Sequence, residues 1–337
     1  MSNPIDSPIF IVSAPRSGST LLRLIIDANP NIAIPPPGYL FNMVYPYVYS
    51  YGDLAVTANL MELAEDILET PTLKKWGLTL DSVAVAAGVK ERSFKGVYEF
   101  VHRVYMEGQG KSRWGNKSPR NVHFIPDIKA LFPGAKIVHL LRDGRDVAME
   151  IAEADFWPHS VWGGAQRWLH CIRAAREFGR ELDADSFLEL KYESLCRDPE
   201  PVLRRLCDFL NEPFDPGMLS HHTSTSTRTW AKNKLHQATA KPITTEFVEA
   251  YKRRLNQHDQ RALEALLGEH LQAAGYEVSG RPQALPYKLA TQIEEGDAVS
   301  ALEKAEYKTW HKSRRARRRQ NGVWRDEDRQ TQLWGMV

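Results

Sequence analysis

A chain of 337 residues, 42% of them hydrophobic, is long enough to bury a full core, and one large domain with an extension is the starting expectation. It holds no apolar run of about 18 residues, which excludes a membrane-spanning helix, and residues 1–7 lack the basic and apolar parts of a secretory leader, so a cytoplasmic location is expected. The formal charge is only +2, and the three cysteines (Cys171, Cys196 and Cys207) are odd in number and lie in helical contexts, which favours buried free thiols over a disulfide framework.

The first elements are a short apolar strand at 9–13, a small polar loop, and a helix over about 19–28 carrying Leu21, Leu22, Leu24, Ile25 and Ile26. A strand that feeds a small-residue loop at a helix N-terminus is a phosphate site, because first-turn N–H groups lack intrahelical partners and the helix dipole favours an anion. In the loop Pro15-Arg-Ser-Gly-Ser-Thr20, Gly18 allows close backbone approach, Ser17, Ser19 and Thr20 add hydroxyl donors, and Arg16 adds a fixed charge. An ATPase loop is excluded, since Ser13 and Ser19 stand where its first glycine and its lysine belong. An ordinary helix start after a strand is the competing reading of the loop taken alone.

Further along, Ile34–Phe41 and the aromatic run Tyr45–Tyr51 read as loop or broken helix, serving as a packed surface or as a wall for an acceptor. Helical patterns follow near 54–69 and 95–107, then a strand at 136–141, helices near 143–155 and 160–180, a strand at 187–190, and helices near 201–210 and 245–274. Residues 217–245 are poor in apolar side chains and read as a long mobile loop. Its pair His221-His222 has no further ligands at ordered spacing, so no metal site is expected. Strands alternating with helices predict an α/β fold: a P-loop-like parallel sheet flanked by helices on both faces, with ligands at the C-terminal ends of the strands.

A composition shift at Gly280–Pro286 marks the expected boundary between a domain over 1–280 and an extension over 281–337. From Lys304 to Arg319 there are eight lysines and arginines against Glu306 alone, a segment of +7, which leaves the rest of the chain at about −5. The basic tail, with Trp310, Trp324 and Trp334, is either a solvated extension or a docking element for the acidic body, a second subunit or an anionic partner.

Four blocks in order resemble one family. The Pro15–Thr20 loop closely resembles the 5′-phosphosulfate loop of sulfotransferases that use 3′-phosphoadenosine 5′-phosphosulfate (PAPS). Trp114-Gly-Asn-Lys-Ser-Pro119 resembles their Trp-Gly-(Asp/Glu)-Lys-(Thr/Ser)-Pro element, and Phe132–Ala148 resembles the strand and Arg-Asp-x-Arg-Asp element that binds the 3′-phosphate. Phe187–Pro199 with Val202–Leu210 resembles the strand, Tyr-Glu-x-Leu and helix block that follows. The likeness runs over about residues 8–276 and is greatest to the bacterial branch related to the tyrosylprotein sulfotransferases.

That resemblance implies PAPS as co-substrate, without metal, and a hydroxyl, phenol or nitrogen of a small or medium acceptor as the second substrate. It implies that Arg16 contacts the bridging and 5′-phosphate oxygens, with Ser17, Gly18, Ser19 and Thr20 around the 5′-phosphate. Lys117 is implied as the second cation, able to bind the sulfuryl oxygens and to donate a proton. Arg142 is implied to pair with the 3′-phosphate and Tyr192 to touch adenine, whereas Glu193 is read as holding local backbone.

The departures from the family pattern matter. Glu150 stands eight residues after Arg142, where the family carries a serine donor to the 3′-phosphate; it either turns away or weakens that site. Pro119 and Pro37 fall where relatives place a histidine or glutamate base, and Asn116 replaces a carboxylate. Glu153, Asp155, His159 and His102 remain as candidate bases. Two readings follow: an active PAPS-dependent sulfotransferase, or a weak or inactive nucleotide-binding homologue with a regulatory or scaffold role. A small-molecule kinase is disfavoured by the missing lysine.

Overall fold

The computed structural model describes residues 7–154, 160–230 and 234–279. Five strands, β1 (Ile9–Ser13), β2 (Ile32–Ala33), β3 (Arg113–Lys117), β4 (Lys136–Leu141) and β5 (Phe187–Lys191), form a parallel sheet in the order β2-β3-β1-β4-β5. All five residues of the central β1 are buried, which is why it reads as an unbroken apolar run.

Alternation along the strands sends Ile9, Ile11, Val138, Leu140, Leu188 and Leu190 to one face. There they join one core with Leu22, Ile25 and Ile26 of the helix Ser19–Asp27 and Leu203, Leu206 and Leu210 of the helix Pro199–Leu210. Each such buried side chain contributes about 1.5–3 kcal/mol. The opposite face carries Phe10, which meets Trp114 edge-on with ring centroids 5.9 Å apart, and His139, which stacks on Phe187. The helices Gly144–Ala152 and Val161–Gly179 approach so closely that a Cβ on Gly164 would stand 2.7 Å from the Ala148 carbonyl oxygen.

The chain passes from β1 to β2 and β3 on one side, then returns to place β4 and β5 on the other. That reversal beside β1 is where α/β sheets open a crevice for ligands. Register pairs Ile11 with Lys117 and Ser13 with Leu140, so the loop after β1, the end of β3 and Arg142 after β4 share one edge of the sheet.

The described residues divide into two compact units: those up to Ile34 with those from Lys111 onward, and Pro35–Gly110. Within the second unit the helices Thr57–Leu68 and Phe94–Gly108 bury Leu60, Leu63, Ile67, Val97 and Val101. The aromatic run forms 3₁₀ turns over Tyr45–Tyr51 that bury Tyr47 and Tyr51, and the Tyr51 hydroxyl donates to Asp66 at 2.7 Å. Packing therefore accounts for most of that run.

Residues 217–245 differ from the long loop expected. They hold helical turns over Pro216–Thr223, Thr225–Trp230 and Lys234–Ala240, anchored by the buried Met218 and His221. The helix expected over 245–274 is two: Tyr251–Arg254 and Gln257–Ala273, the second capped by Asn256 Oδ1 accepting from the Asp259 N–H. Cys171, Cys196 and Cys207 are free and buried, and burial pushes each thiol up to about 11. No helix of the described residues is long and apolar enough to cross a membrane. The boundary expected after residue 280 and the basic extension 281–337 lie outside the described residues.

Candidate functional site

The loop after β1 turns sharply into the helix that follows. Arg16 and Gly18 both have left-handed backbone, with φ of 66° and 91°. The helix Ser19–Asp27 starts on Gly18 with no side-chain cap, whereas Asp143, Ser160 and Asn256 each cap their own helix. Its first-turn N–H groups therefore receive no capping side chain at Gly18, the situation in which helix starts accept anions. The Ser13 and Ser17 hydroxyls and the Arg16 Nε are buried and have no hydrogen-bond partner among the described residues. Unpaired buried donors are costly in isolation and fit an anion that would complete them.

Tyr192, just past β5, lies against this loop: a Cβ on Gly18 would stand 2.6 Å from two of its ring carbons. Its ring also carries the Arg142 guanidinium, 4.7 Å from the centroid. Burial raises the Tyr192 phenol well above its usual range, so it stays neutral.

Lys117 ends β3 with 3% exposure, and its Nζ donates to Thr20 Oγ1 at 3.2 Å. Burial first, and the Arg23 charge second, hold this ammonium well below the ordinary lysine range. Arg23 is itself buried on the helix Ser19–Asp27 and donates to the Ile34 carbonyl at 2.9 Å. A charged residue inside an otherwise apolar helical run is the signal by which the sequence reading could have found it.

Arg142, also buried, donates to the carbonyls of Arg16 at 2.9 Å and Phe247 at 2.8 Å, while its Nε has no partner among the described residues. Asp146 lies 3.8 Å away, and burial pushes its carboxyl up to about 6 despite that guanidinium. Glu193 accepts from the Asp143 N–H at 2.9 Å, the backbone-holding role expected of it.

Glu150 turns to the loop cation: its Oε2 accepts from Arg16 Nη2 at 3.0 Å, and its Oε1 lies 3.5 Å from Arg254 Nη1. Arg254, which the sequence reading did not single out, also pairs with Glu153. The structure therefore brings together Arg16, Ser17, Gly18, Ser19, Thr20, Lys117, Arg142 and Tyr192.

The candidate bases do not converge. Glu153 is exposed and held by Arg254, and Asp155 and His159 lie outside the described residues. His102 belongs to the second unit, fully buried, stacked on Tyr98 with Nδ1 2.7 Å from the Tyr98 carbonyl oxygen, and burial pushes its pKa down to about 3. It is a core histidine. Asn116 Oδ1 accepts from Asn121 at 3.1 Å, an amide pair where the family has a carboxylate. No group of three or more potential metal ligands occurs among the described residues.

Comparison with known proteins agrees with the motifs. A profile described as the sulfotransferase family matches residues 8–216. An uncharacterized protein of Aquifex aeolicus is 28% identical over 230 residues, covering 65% of this chain and 27% of that protein. A protein-tyrosine sulfotransferase of Drosophila melanogaster is 26% identical over 219 residues, covering 63% of this chain and 40% of that protein. The chain thus spans well under half the length of these relatives. The sulfotransferase domain from the Synechococcus PCC 7002 olefin synthase superposes with a TM-score of 0.59 at 25% identity, covering 82% of this chain and 97% of that domain. With a profile match over more than half its length, this chain belongs to the sulfotransferase family.

Proposed function

We propose that the chain transfers a sulfuryl group from PAPS to a hydroxyl, phenol or nitrogen of a small or medium acceptor. The observation that carries this reading is the convergence of three distant segments on one uncapped helix start: Lys117 on Thr20, Arg142 on the Arg16 carbonyl, and Tyr192 on Gly18. The unpaired buried Ser17 hydroxyl and Arg16 Nε fit the 5′-phosphate and its bridging oxygen.

When bound, PAPS supplies an activated sulfuryl group, whose bond to the 5′-phosphate breaks as the acceptor bond to sulfur forms. The loop N–H groups with Ser17, Ser19 and Thr20 hold the 5′-phosphate, and Arg142 faces the 3′-phosphate. Arg16 and Lys117 stabilise the charge that develops on the leaving oxygen, as preorganised cations do in phosphoryl transfer. Arg16 keeps its proton throughout; Lys117, with its depressed pKa, is the group able to release one to the leaving oxygen.

The test is a titration of the chain with adenosine 3′,5′-bisphosphate, AMP and ATP, followed by transfer of label from PAPS to a panel of phenols, alcohols and amines with a chelator present. Selectivity for the bisphosphate and label transfer are expected. One observation favours the second reading, a binding homologue without turnover: Glu150 ties up Arg16. Selective bisphosphate binding with no transfer to any acceptor would establish that reading instead.

A further inference from the structure

We propose that the acidic side of the helix Thr57–Leu68 is the docking surface for this chain's own basic segment, residues 304–319, which lies outside the described residues. The inference stands independently of the PAPS reading.

Charge is unevenly placed along the sequence. Residues 35–73 hold Asp53, Glu62, Glu65, Asp66 and Glu69 but no lysine, arginine or histidine, a stretch of −5. That equals the whole acidic excess set against the +7 of residues 304–319, so the remainder of the chain is neutral. One acidic stretch and one basic stretch carry the asymmetry.

Helical spacing sorts the acids. Glu62, Glu65 and Glu69 are three and four positions apart and fall on one side of the helix Thr57–Leu68 and its C-terminal cap, while Leu60, Leu63 and Ile67 are buried on the other. Carboxylates so aligned repel one another, and these lie toward the C-terminal end, where the helix dipole disfavours an anion. The last turn carries no basic residue to offset them. Glu62 shows the deficit directly: its Oε1 is buried and has no hydrogen-bond partner among the described residues. A carboxylate oxygen closed off from water without a donor is costly, and a cation brought in from elsewhere would relieve it.

Residues 304–319 match that need in charge, and they carry Tyr307 and Trp310 among their lysines and arginines. Apolar contact is available on the same unit, since Tyr49, Val56 and Val83, the exposed large apolar side chains of the described residues, all belong to Pro35–Gly110. Tethering favours the chain's own segment over a separate partner. The 25 positions from Ser279 to Lys304 can span about 80 Å when extended, so the connection imposes no restriction. A tether of this kind holds the segment at an effective concentration of about millimolar, where attraction too weak to retain a free partner is enough.

Contact is read on the full chain with a zero-length carbodiimide crosslinker, which joins a carboxylate to a lysine amine only where the two touch, followed by peptide mass spectrometry. Links from Glu62, Glu65 or Glu69 to Lys304, Lys308 or Lys312 are expected, and they should fade in about 0.5 M salt. In an equal mixture of light and heavy-isotope chains, each link should join peptides of one isotope. Mixed-isotope links would put the segment on a second copy and overturn the proposal, as would links dispersed over other carboxylates or no links at all. Trypsin cleavage within 304–319, read well below the unfolding transition of each protein, is the second measurement. Glu62→Gln, Glu65→Gln and Glu69→Gln together should speed it about fivefold or more, the scale of three exposed ion pairs. Equal cleavage rates in parent and variant would overturn docking on this face.

Discussion

Tyr192 and Gly18 are in such close contact that the loop has no room for a side chain at residue 18, where φ is also 91°. Gly18→Ala should cost about 1–3 kcal/mol in stability, from the left-handed backbone and the displaced ring together. It should also weaken adenosine 3′,5′-bisphosphate by more than about tenfold, because the same backbone presents the amides. Adding Tyr192→Ala relieves the clash but removes a buried core ring and leaves the left-handed backbone, so it should recover neither stability nor binding. Denaturant unfolding and calorimetry on both variants separate the two effects.

Arg142→Ala removes a guanidinium that ties two backbone carbonyls together and to which the proposed function gives the 3′-phosphate. Leaving the Arg16 and Phe247 carbonyls without their donor should cost about 1–3 kcal/mol in stability. Beyond that, bisphosphate binding should fall by about 2–4 kcal/mol while AMP is nearly unaffected. Equal losses for the two ligands would remove Arg142 from the 3′-phosphate site.

Lys117 is a buried cation whose replacement by methionine should leave the fold intact or firmer, since desolvating an ammonium is itself costly. Turnover should fall by about 100-fold or more with nucleotide affinity changed only a few-fold, because the contact strengthens as charge develops. In the parent, activity should decline as pH rises through the depressed Lys117 pKa, and that limb should be absent from the residual activity of Lys117→Met. A pH–rate profile of both proteins is the measurement.

Three histidines, His102 and His221 buried and His123 half-buried, lower stability in acid. Burial is the first cause in each case, and it pushes His102 down to about 3 and His123 and His221 to about 4. The unfolded chain takes up these protons below pH 6.5 and the folded chain does not, so stability falls as pH drops from about 6.5 toward 4. Each histidine contributes up to about 1.4 kcal/mol per pH unit there. His102→Phe should flatten the slope by one proton's share. Unfolding free energies at pH 7.5, 6 and 5 decide it, and an unchanged slope would remove His102 from the list.

How much of this was readable in the sequence differs by element. β1, β4 and β5 were visible because strands packed inside a covered sheet must be apolar runs. β3 was not, since Arg-Trp-Gly-Asn-Lys looks like surface. Its Arg113 is buried only because the Ser7 and Leu210 carbonyls and Glu212 accept from it, partners about 100 positions away. The helices of 35–110 were legible as patterns, but their separation into a unit of their own depends on tertiary packing that no local window carries. The loop Pro15–Thr20 was legible because a strand, small residues and a helix follow one another within a few positions. Lys117, Arg142 and Tyr192 stood out only through resemblance to the family's motifs; the structure gathers them around the loop. The Arg16–Glu150 pair spans 134 positions and Arg254 belongs to no motif, so neither left a local trace.

The bare start of the helix Ser19–Asp27 has a consequence for any measurement on this chain. A helix that ends in glycine, with buried donors unanswered around it, is finished by whatever anion docks there, so ligand becomes part of the secondary structure. On the proposed function, melting temperatures should track nucleotide concentration by mass action. Phosphate or sulfate in a buffer will stand in for part of the effect. The ligand-free chain in an anion-poor buffer is the least stable preparation, and amide exchange at Ser19, Thr20 and Leu21 is where that deficit will be read first.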